Sequence, residues 1–499
     1  MTRAMRIPYI PSVVLVALSA AALASCTVGP NFKSPSPDVP ATWSSSAAPA
    51  ASGQISQISR ITTSPADDAT TWWTSFNDPE LTSLVDRVAA ENLDAKEAVL
   101  RIGEARAQRD ISAADQWPSL TGNASAQINR LSESTPTGSL FSKIGSFPGL
   151  SGVSIPNPYS QYQLGFDAQW EVDLFGRVRR SVEAAKADTD ASVEDSRSVL
   201  ISTLGDVGHA YIDLRGAQAR RQILTENIAT ENDLRDLAGQ RRRAGLGNDV
   251  DVVRAAAEAS SAEAQLPSVQ EEITADINQL SKLMDRPPGA LAAELDAARP
   301  VPPVPPSVPI GLPSDLARRR PDIREAEARL HAATARVGVA VADLYPKLTL
   351  GASAGLQSES LLTLTNWASR FLTAGPTVEL PIFDAGRRRA TVRLQDVKAQ
   401  EAALDYRRTV LTALNEVDNA LAAYGADQAR AAALGDAVAR DREAVDLARQ
   451  RYASGVASFI DVLDAERTLE QNQLLLADAS TAVSTDLVVL YKALGGGWS

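Results

Sequence analysis

Between Gln161 and Leu174 the chain alternates without an error. Tyr162, Leu164, Phe166, Ala168, Trp170, Val172 and Leu174 fall on one side, and mostly polar or charged residues on the other. Leu120 to Asn129 repeats the pattern, setting Leu120, Ala124, Ala126 and Ile128 against Thr121, Asn123, Ser125, Gln127 and Asn129, and so do Leu348 to Gln357 and Leu372 to Ile382. Period two over about ten residues predicts strands long enough to cross a bilayer on a tilt, with one face for lipid and one for water. After each second strand comes a Pro-free stretch, Arg177 to Arg243 and Arg387 to Tyr452. As helix, about 66 residues at 1.5 Å rise span roughly 100 Å. Val397, Leu404 and Leu411 recur at seven, as do Leu414 and Leu421, which is coiled-coil spacing. Each helix turns at "RAGLGND" or "YASGVAS" and returns, so both hairpin turns sit at the end farthest from the strands.

The chain is two copies of one unit. "AADQWPSLTGNASA" at 113 lies over "VADLYPKLTLGASA" at 341, an offset of 228. "WEVDLFGR" at 170 lies over "VELPIFDAGR" at 378 at 208 and then 210, and "RAGLGNDVDVVRA" at 243 lies over "ASGVASFIDVLDA" at 453, again at 210. The fall from 228 to 208 places about twenty extra residues in the Ser/Gly/Pro-rich stretch 131–160, an enlarged loop. "RPVPPVPPSVPIGLP" (299–313) reads as an extended connector between the copies. Barrels in outer membranes start at eight strands and open edges are not tolerated in lipid, so a chain with four strands must share one barrel with other copies.

Composition and the N-terminus sharpen this picture. Arg3 and Arg6 precede an apolar stretch, Ile10 to Leu23, too short to span a bilayer comfortably, and Leu23-Ala24-Ser25-Cys26 resembles the bacterial lipobox. Cys26 is the only cysteine in 499 residues and cannot form an internal disulfide, which suits a lipid-bearing mature N-terminus. Thr27 follows where an aspartate commonly signals inner-membrane retention, favouring the outer membrane. After Leu23 no apolar run approaches 18 residues, so a membrane crossing falls to the strands. Net charge is −12, against nucleic acid as a partner, and the "RRR" runs at 241, 318 and 387 read as helix-end or interfacial charges. The reading divides the chain into a signal peptide (1–25), a lipidated tether (26–70), a first repeat (71–298), the connector (299–313) and a second repeat (314–499).

"CTVGPNF" after the lipobox, "WWTSFNDPELTSLVDRV" at 72, "LPSDLARRRPDIREAEARLHAATARVGVAVADLYP" at 312, "LPIFDAGRRRA" at 380 and "YASGVASFIDVLDAERTL" at 452 together resemble the TolC-like outer-membrane efflux family, in its NodT-type lipoprotein branch. The resemblance covers essentially the whole mature chain. It implies a mainly α fold with a membrane β part, in which a homotrimer builds a twelve-stranded β-barrel continuing into a periplasmic α-barrel. It implies diacylglycerol and N-acyl lipid on Cys26, and as partners a periplasmic adaptor and an inner-membrane pump of the resistance-nodulation-division class. An ATP-driven or type I secretion exporter as the engine, or a non-transporting lipoprotein scaffold, are the alternatives. Cargo is not written in the sequence.

Candidate functional residues gather at the two hairpin turns. Asn248-x-x-Asp251 and Ser458-x-x-Asp461 look like helix-capping boxes with Asp in the usual Glu place, a role worth about 1 kcal/mol each and sufficient by itself. The repeats disagree one turn on, where Asp464 faces Arg254 at the matching position. Asp461 and Asp464 lie on one helix face, and three copies would make two carboxylate rings that favour cations and bind divalent ions. In the resembled family, aspartates at these positions form the periplasmic constriction, and Tyr452 and Asp251 match partners in its lock. The arginine that completes the lock falls at Ala457, so an Arg254–Asp464 pair is the expected substitute. His209 and His331 have no nucleophile or metal-ligand spacing beside them, which argues against an enzyme.

Overall fold

The computed structural model describes residues 27–36, 39–44, 60–62, 67–144 and 156–497. The signal segment and Cys26 lie outside them. The strands are β1 (Arg60–Thr62), β2 (Ser119–Asn129), β3 (Tyr159–Glu171), β4 (Ser307–Pro309), β5 (Lys347–Ser358) and β6 (Arg370–Glu379). The helices are α1 (Pro79–Glu91), α2 (Leu93–Ala114), α3 (Pro136–Lys143), α4 (Arg177–Arg243), α5 (Asp249–Leu283), α6 (Ala292–Leu295), α7 (Pro313–Arg319), α8 (Pro321–Ala342), α9 (Arg387–Ala453) and α10 (Phe459–Ala493). The internal repeat is reproduced to the residue. The bounds of α2 and α8 differ by the same 228, and those of α4 and α9, and of α5 and α10, by the same 210.

The chain forms two compact units. The first comprises the N-terminal segment to Ser34, Ala105–Thr189 and Arg329–Ala402. Its core is a four-stranded antiparallel sheet in the order β2-β3-β5-β6, which leaves β2 and β6 as edges. Register places Ala124 opposite Leu164, Leu164 opposite Leu356, Phe166 opposite Ala354 and Ala354 opposite Leu372, so the alternating apolar residues of all four strands share one face. Slipping any strand by one residue would turn its apolar set to the polar side. The enlarged loop contains a feature not expected from its composition, the short helix α3, started by Thr135 accepting from the Gly138 N–H at 3.2 Å.

The N-terminal segment is docked on this unit. The Val28 N–H donates to the Phe175 carbonyl at 3.1 Å, and Thr27 sits where a β-carbon on Gly176 would stand. Arg180 donates to Asn31 Oδ1 at 2.5 Å. Phe32 stacks on His331, ring centroids 4.4 Å apart, and His331 Nε2 lies 3.0 Å from Glu183. This histidine, without a task in the sequence, helps to hold the segment down.

The second unit comprises Pro35–Glu104, Asp190–Ala328 and Ala403–Ser499. Its centre is Arg215, fully buried on α4. Arg215 donates to Glu80 at 2.8 Å, to Gln218 at 2.6 Å and to the carbonyls of Leu295 and Ala297 at 3.3 and 2.9 Å. Asp78 caps α1 through the Glu80 and Leu81 N–H groups at 2.8 and 3.1 Å and accepts from Tyr211 Oη at 2.8 Å. Burial drives the Tyr211 hydroxyl well above its ordinary value. Trp72 stacks on Tyr491 at 6.0 Å and occupies the space a side chain at Gly208 would need.

Two sequence expectations change in this unit. Described parts of the tether are packed: Trp43 is buried and donates to Gly311 at 3.1 Å, and β1 pairs in parallel with β4 of the Pro-rich connector. Helix α10 is also long and apolar enough by composition to cross a membrane, which the apolar-run count did not anticipate. Its Val483, Leu487, Val488, Leu490 and Tyr491 are instead buried in the unit. The "RRR" run at 318 does act at a helix end, since Arg320 donates to the Ala493 carbonyl closing α10 at 2.9 Å.

A buried charge stripped of its partner is among the costliest single changes in a fold. Glu80→Ala should therefore cost about 3–5 kcal/mol, read as a lower denaturant midpoint at unchanged slope. Arg299→Ala, which removes a half-exposed partner of the same carboxylate, should cost no more than about 1 kcal/mol.

Candidate functional site

The hairpin turns are built alike. In the first, the Gly245 N–H donates to Arg242 at 3.0 Å and the Leu246 N–H to Arg241 at 2.8 Å; in the second, Gly455 donates to Tyr452 at 3.0 Å and Val456 to Arg451 at 2.9 Å. Gly245 and Gly455 have φ of +74° and +76°, which only glycine adopts without strain at the end of a helix. Each returning helix is then capped. Asn248 accepts from the Asp251 N–H at 2.8 Å, while Asp461 accepts from both the N–H and the hydroxyl of Ser458 at 2.8 Å. Those two bonds from Ser458 lower the Asp461 carboxyl below its ordinary value.

Beneath the turns the two hairpins are cemented by one apolar cluster. Leu234 and Ala238 of α4, Val252 and Ala255 of α5, Ala448 and Tyr452 of α9, and Phe459, Val462 and Leu463 of α10 pack together. Tyr452 meets Phe459 at 5.4 Å between ring centroids. The Arg241 guanidinium lies 4.3 Å over the tyrosine ring and donates to the Tyr452 carbonyl at 3.2 Å. The Tyr452 hydroxyl is raised by burial, with Arg241 acting against the shift and the Asp251 charge with it. Leu246, Val250, Val253, Val456 and Ile460 are exposed around the turns.

Above this cluster the seam becomes acidic. Glu231 of α4 is 3% exposed with one carboxylate oxygen unpartnered, and Glu470 of α10, hydrogen-bonded to it, also has an unpartnered oxygen. Glu231 and Glu470 are each pushed up to about 7, chiefly by burial and then by neighbouring carboxylates, including Glu466 and Glu258. Arg449 of α9 is bonded to Glu466 at 2.6 Å, and Arg467 of α10 pairs closely with Glu258 of α5.

Capped tips joined to a membrane-length sheet match a known architecture. Residues 84–286 and 312–496 match the outer membrane efflux protein family. The chain belongs to that family. It is 33% identical over 485 residues to the solvent efflux pump outer membrane protein SrpC of Pseudomonas putida, covering 96% of each chain. It is 30% identical over 482 residues to nodulation protein T of Rhizobium leguminosarum bv. trifolii, again over 96% of each. Among solved structures, the outer-membrane channel OprN superposes with a TM-score of 0.83 at 34% identity, over 95% of this chain and 100% of that one. The outer membrane efflux protein described here is thus a channel of the outer membrane with a periplasmic helical part.

The structure brings Tyr452, Asp251 and Arg241 of this efflux protein to one place, and leaves Asp461 and Asp464 exposed on one face of α10. The expected Arg254–Asp464 pair is not formed within the chain. Asp464 is instead 3.8 Å from Arg467 on its own helix, and Arg254 is exposed. A charge link between the hairpins lies one turn higher, between Glu258 and Arg467, because there the two side chains reach each other across the seam. Glu466, Arg467 and Glu470 stand where the first repeat has Ala256, Ala257 and Ser260. The same disagreement between repeats that singled out Asp464 would have found them. Arg241 sat unread in the "RRR" run, since a cation over an aromatic ring requires knowing which helices meet.

A carboxyl raised to about 7 in the fold and ordinary when unfolded binds more protons in the folded state between about pH 4.5 and 7. The Glu231–Glu470 seam should therefore weaken as pH rises through 7 and change little above it. Hydrogen exchange of amides in 228–234 and 467–473 should accelerate from pH 5.5 to 8 beyond the intrinsic rate, by about tenfold. Glu470→Gln should remove most of that extra acceleration; an unchanged profile would show that the pair does not titrate in this window.

Proposed function

We propose that this efflux channel works as a homotrimeric exit duct of a tripartite system, with its gate at the hairpin tips. One observation carries the reading. The sheet of a single chain has a continuous apolar face and two open edges, β2 and β6, and such edges cannot stand in lipid unpaired. Three copies supply twelve strands, an even number within the range of outer-membrane barrels. The bare coiled-coil stripe of Val397, Leu404 and Leu411 on α9 provides a matching seam for another copy along the helices.

The exposed apolar residues around the turns give a periplasmic adaptor a contact surface, and the adaptor would join the duct to an inner-membrane pump of the resistance-nodulation-division class. Relatives named for solvent and toluene efflux support small apolar molecules as cargo. Lipid on Cys26 fits the docking of Thr27 beside Gly176, directly after the first repeat's second strand. At the gate, Asp461 and Asp464 of three copies would ring the axis, with Asp461 kept ionised by Ser458, while Tyr452, Arg241 and Asp251 hold the paired hairpins behind them. Such rings favour cations and offer divalent ions a resting place.

Purified protein in planar bilayers should conduct ions with cation preference, and Asp461→Asn with Asp464→Asn should reduce that preference. Conductance unaffected by the two changes would remove the gate assignment and keep the channel. Absence of conductance in wild type and in a Tyr452→Ala variant, designed to loosen the tip, would favour a scaffold.

A further inference from the structure

The end of the sheet away from the long helices carries a feature that neither the duct nor its gate uses. There β5 and β6 are joined by residues 359–369, a connection ordered by its own hydrogen bonds. Ser358 and Thr363 share a bond between hydroxyls at 2.6 Å, and the Thr363 carbonyl accepts from the Asn366 N–H at 3.1 Å and from the Ser369 hydroxyl at 2.7 Å. An ordered connection facing water gains most by tucking its apolar residues inward; this one leaves them out. Leu361 and Leu362 are exposed, the second to 92%, and so is Trp367, to 78%. The Arg370 guanidinium lies 3.6 Å over the centre of the Trp367 ring.

Register tells which side of the sheet this pair occupies. Ala124 stands opposite Leu164, Leu164 opposite Leu356, and Leu356 opposite Arg370, so the arginine ends a row whose other members are apolar. Two residues on, Leu372 continues that face. Arg370 is therefore on the lipid side and not in the lumen, and the Trp367 ring beneath it is on the same side. Height is set by the aromatic residues of β3. Tyr162 and Trp170 bound its apolar face, with Leu164, Phe166 and Ala168 between them. They stand eight residues, or about 27 Å of strand, apart, the scale of the apolar band between the aromatic girdles of a membrane barrel. Arg370 is one row inside Tyr162, close to where the headgroups begin. A guanidinium is tolerated on a lipid-facing row only near that level, where it reaches charged groups. Arg370 is exposed and forms no ion pair among the described residues, and the Trp367 ring holds it without cancelling its charge.

We infer that Arg370 and Trp367 form a binding site for a phosphate group of the glycolipid in the outer leaflet. The periplasmic helices leave from the other end of the sheet, so this end meets the leaflet that faces outside. In outer membranes that leaflet is made largely of phosphorylated glycolipid. A planar guanidinium offers two parallel N–H donors to a phosphate, and a tryptophan has the apolar body and polar N–H that suit the headgroup layer. Leu361 and Leu362 add apolar surface on the same connection. The site needs the sheet in the outer membrane, but no particular number of copies and no gate.

Full-length protein purified in detergent and mixed with bisphosphorylated lipid A should retain that lipid in native mass spectra, and should retain at least tenfold less of lipid A stripped of its phosphates. Arg370→Gln should lower the apparent affinity for bisphosphorylated lipid A by at least tenfold. Arg370→Lys, which keeps the charge but loses the planar donors, should lower it less, and Trp367→Ala should fall between wild type and Arg370→Gln. Arg101→Gln, at an exposed arginine of α2, should change nothing. Equal retention of both lipids, or equal affinity in Arg370→Gln and wild type, overturns the site. Tighter binding of phosphatidylglycerol than of lipid A overturns the glycolipid and gives the arginine to an ordinary phospholipid. Unchanged lipid A binding with a lower dissociation temperature of the assembly in Arg370→Gln also overturns the site, and places Arg370 against a neighbouring copy. Helix content by circular dichroism shows that each variant is folded; were Arg370→Gln to lose it, Arg370→Lys and Trp367→Ala decide by the same comparison.

Discussion

Every backbone N–H and C=O inside a bilayer must find a partner within the protein, and this chain leaves two strand edges without one. Much of the rest of the fold follows from that shortage. A sheet of four strands with a lipid-ready face is too small to close on its own. The long helices follow each second strand directly, and a stripe such as Val397, Leu404 and Leu411 is bare in the single chain. In the homotrimer proposed above, one neighbour answers both shortages.

Duplication supplies the parts, and small departures from it set the two hairpins apart. The turns at Gly245 and Gly455 carry the same hydrogen bonds and positive φ, which makes the two tips geometric twins. Their charges are not twins. The first hairpin presents Arg254 and Glu258 where the second presents Asp464 and Thr468, and α10 adds Glu466, Arg467 and Glu470 where α5 has only small residues. The apolar cluster around Tyr452 packs the hairpins together, while in the layer above it the two carboxyls raised to about 7 sit among the Arg449–Glu466 and Arg467–Glu258 pairs. An apolar tip beneath a pH-sensitive seam suits the gate proposed above.

Much of this was legible in the sequence because it is local. Alternation from Gln161 onward sorted the residues of β3 onto its two faces, though the strand ends at Glu171 rather than Leu174; the Pro-free stretches gave the two long helices to within a residue, and capping at Asn248 and Ser458 followed from residue types three apart. What escaped depends on which helix faces meet. Arg215 looks like any helical arginine until Glu80, Leu295 and Ala297 surround it, and Arg241 like part of a basic run until it lies over Tyr452. Within the chain the link falls one helical turn from the pairing expected at Arg254, a distance periodicity cannot resolve because it does not fix how far one helix is slid along another.

Arg215 also orders events in time. Its carboxylate partner Glu80 lies 135 residues before it, and the Ala297 carbonyl 82 residues after it. A chain delivered N-terminus first can bring Glu80 to α4 early, but cannot bury the guanidinium until the connector has followed. The contacts that satisfy one guanidinium therefore draw on residues from Glu80 to Ala297, so no stretch of the first repeat shorter than this can complete the centre of the second unit.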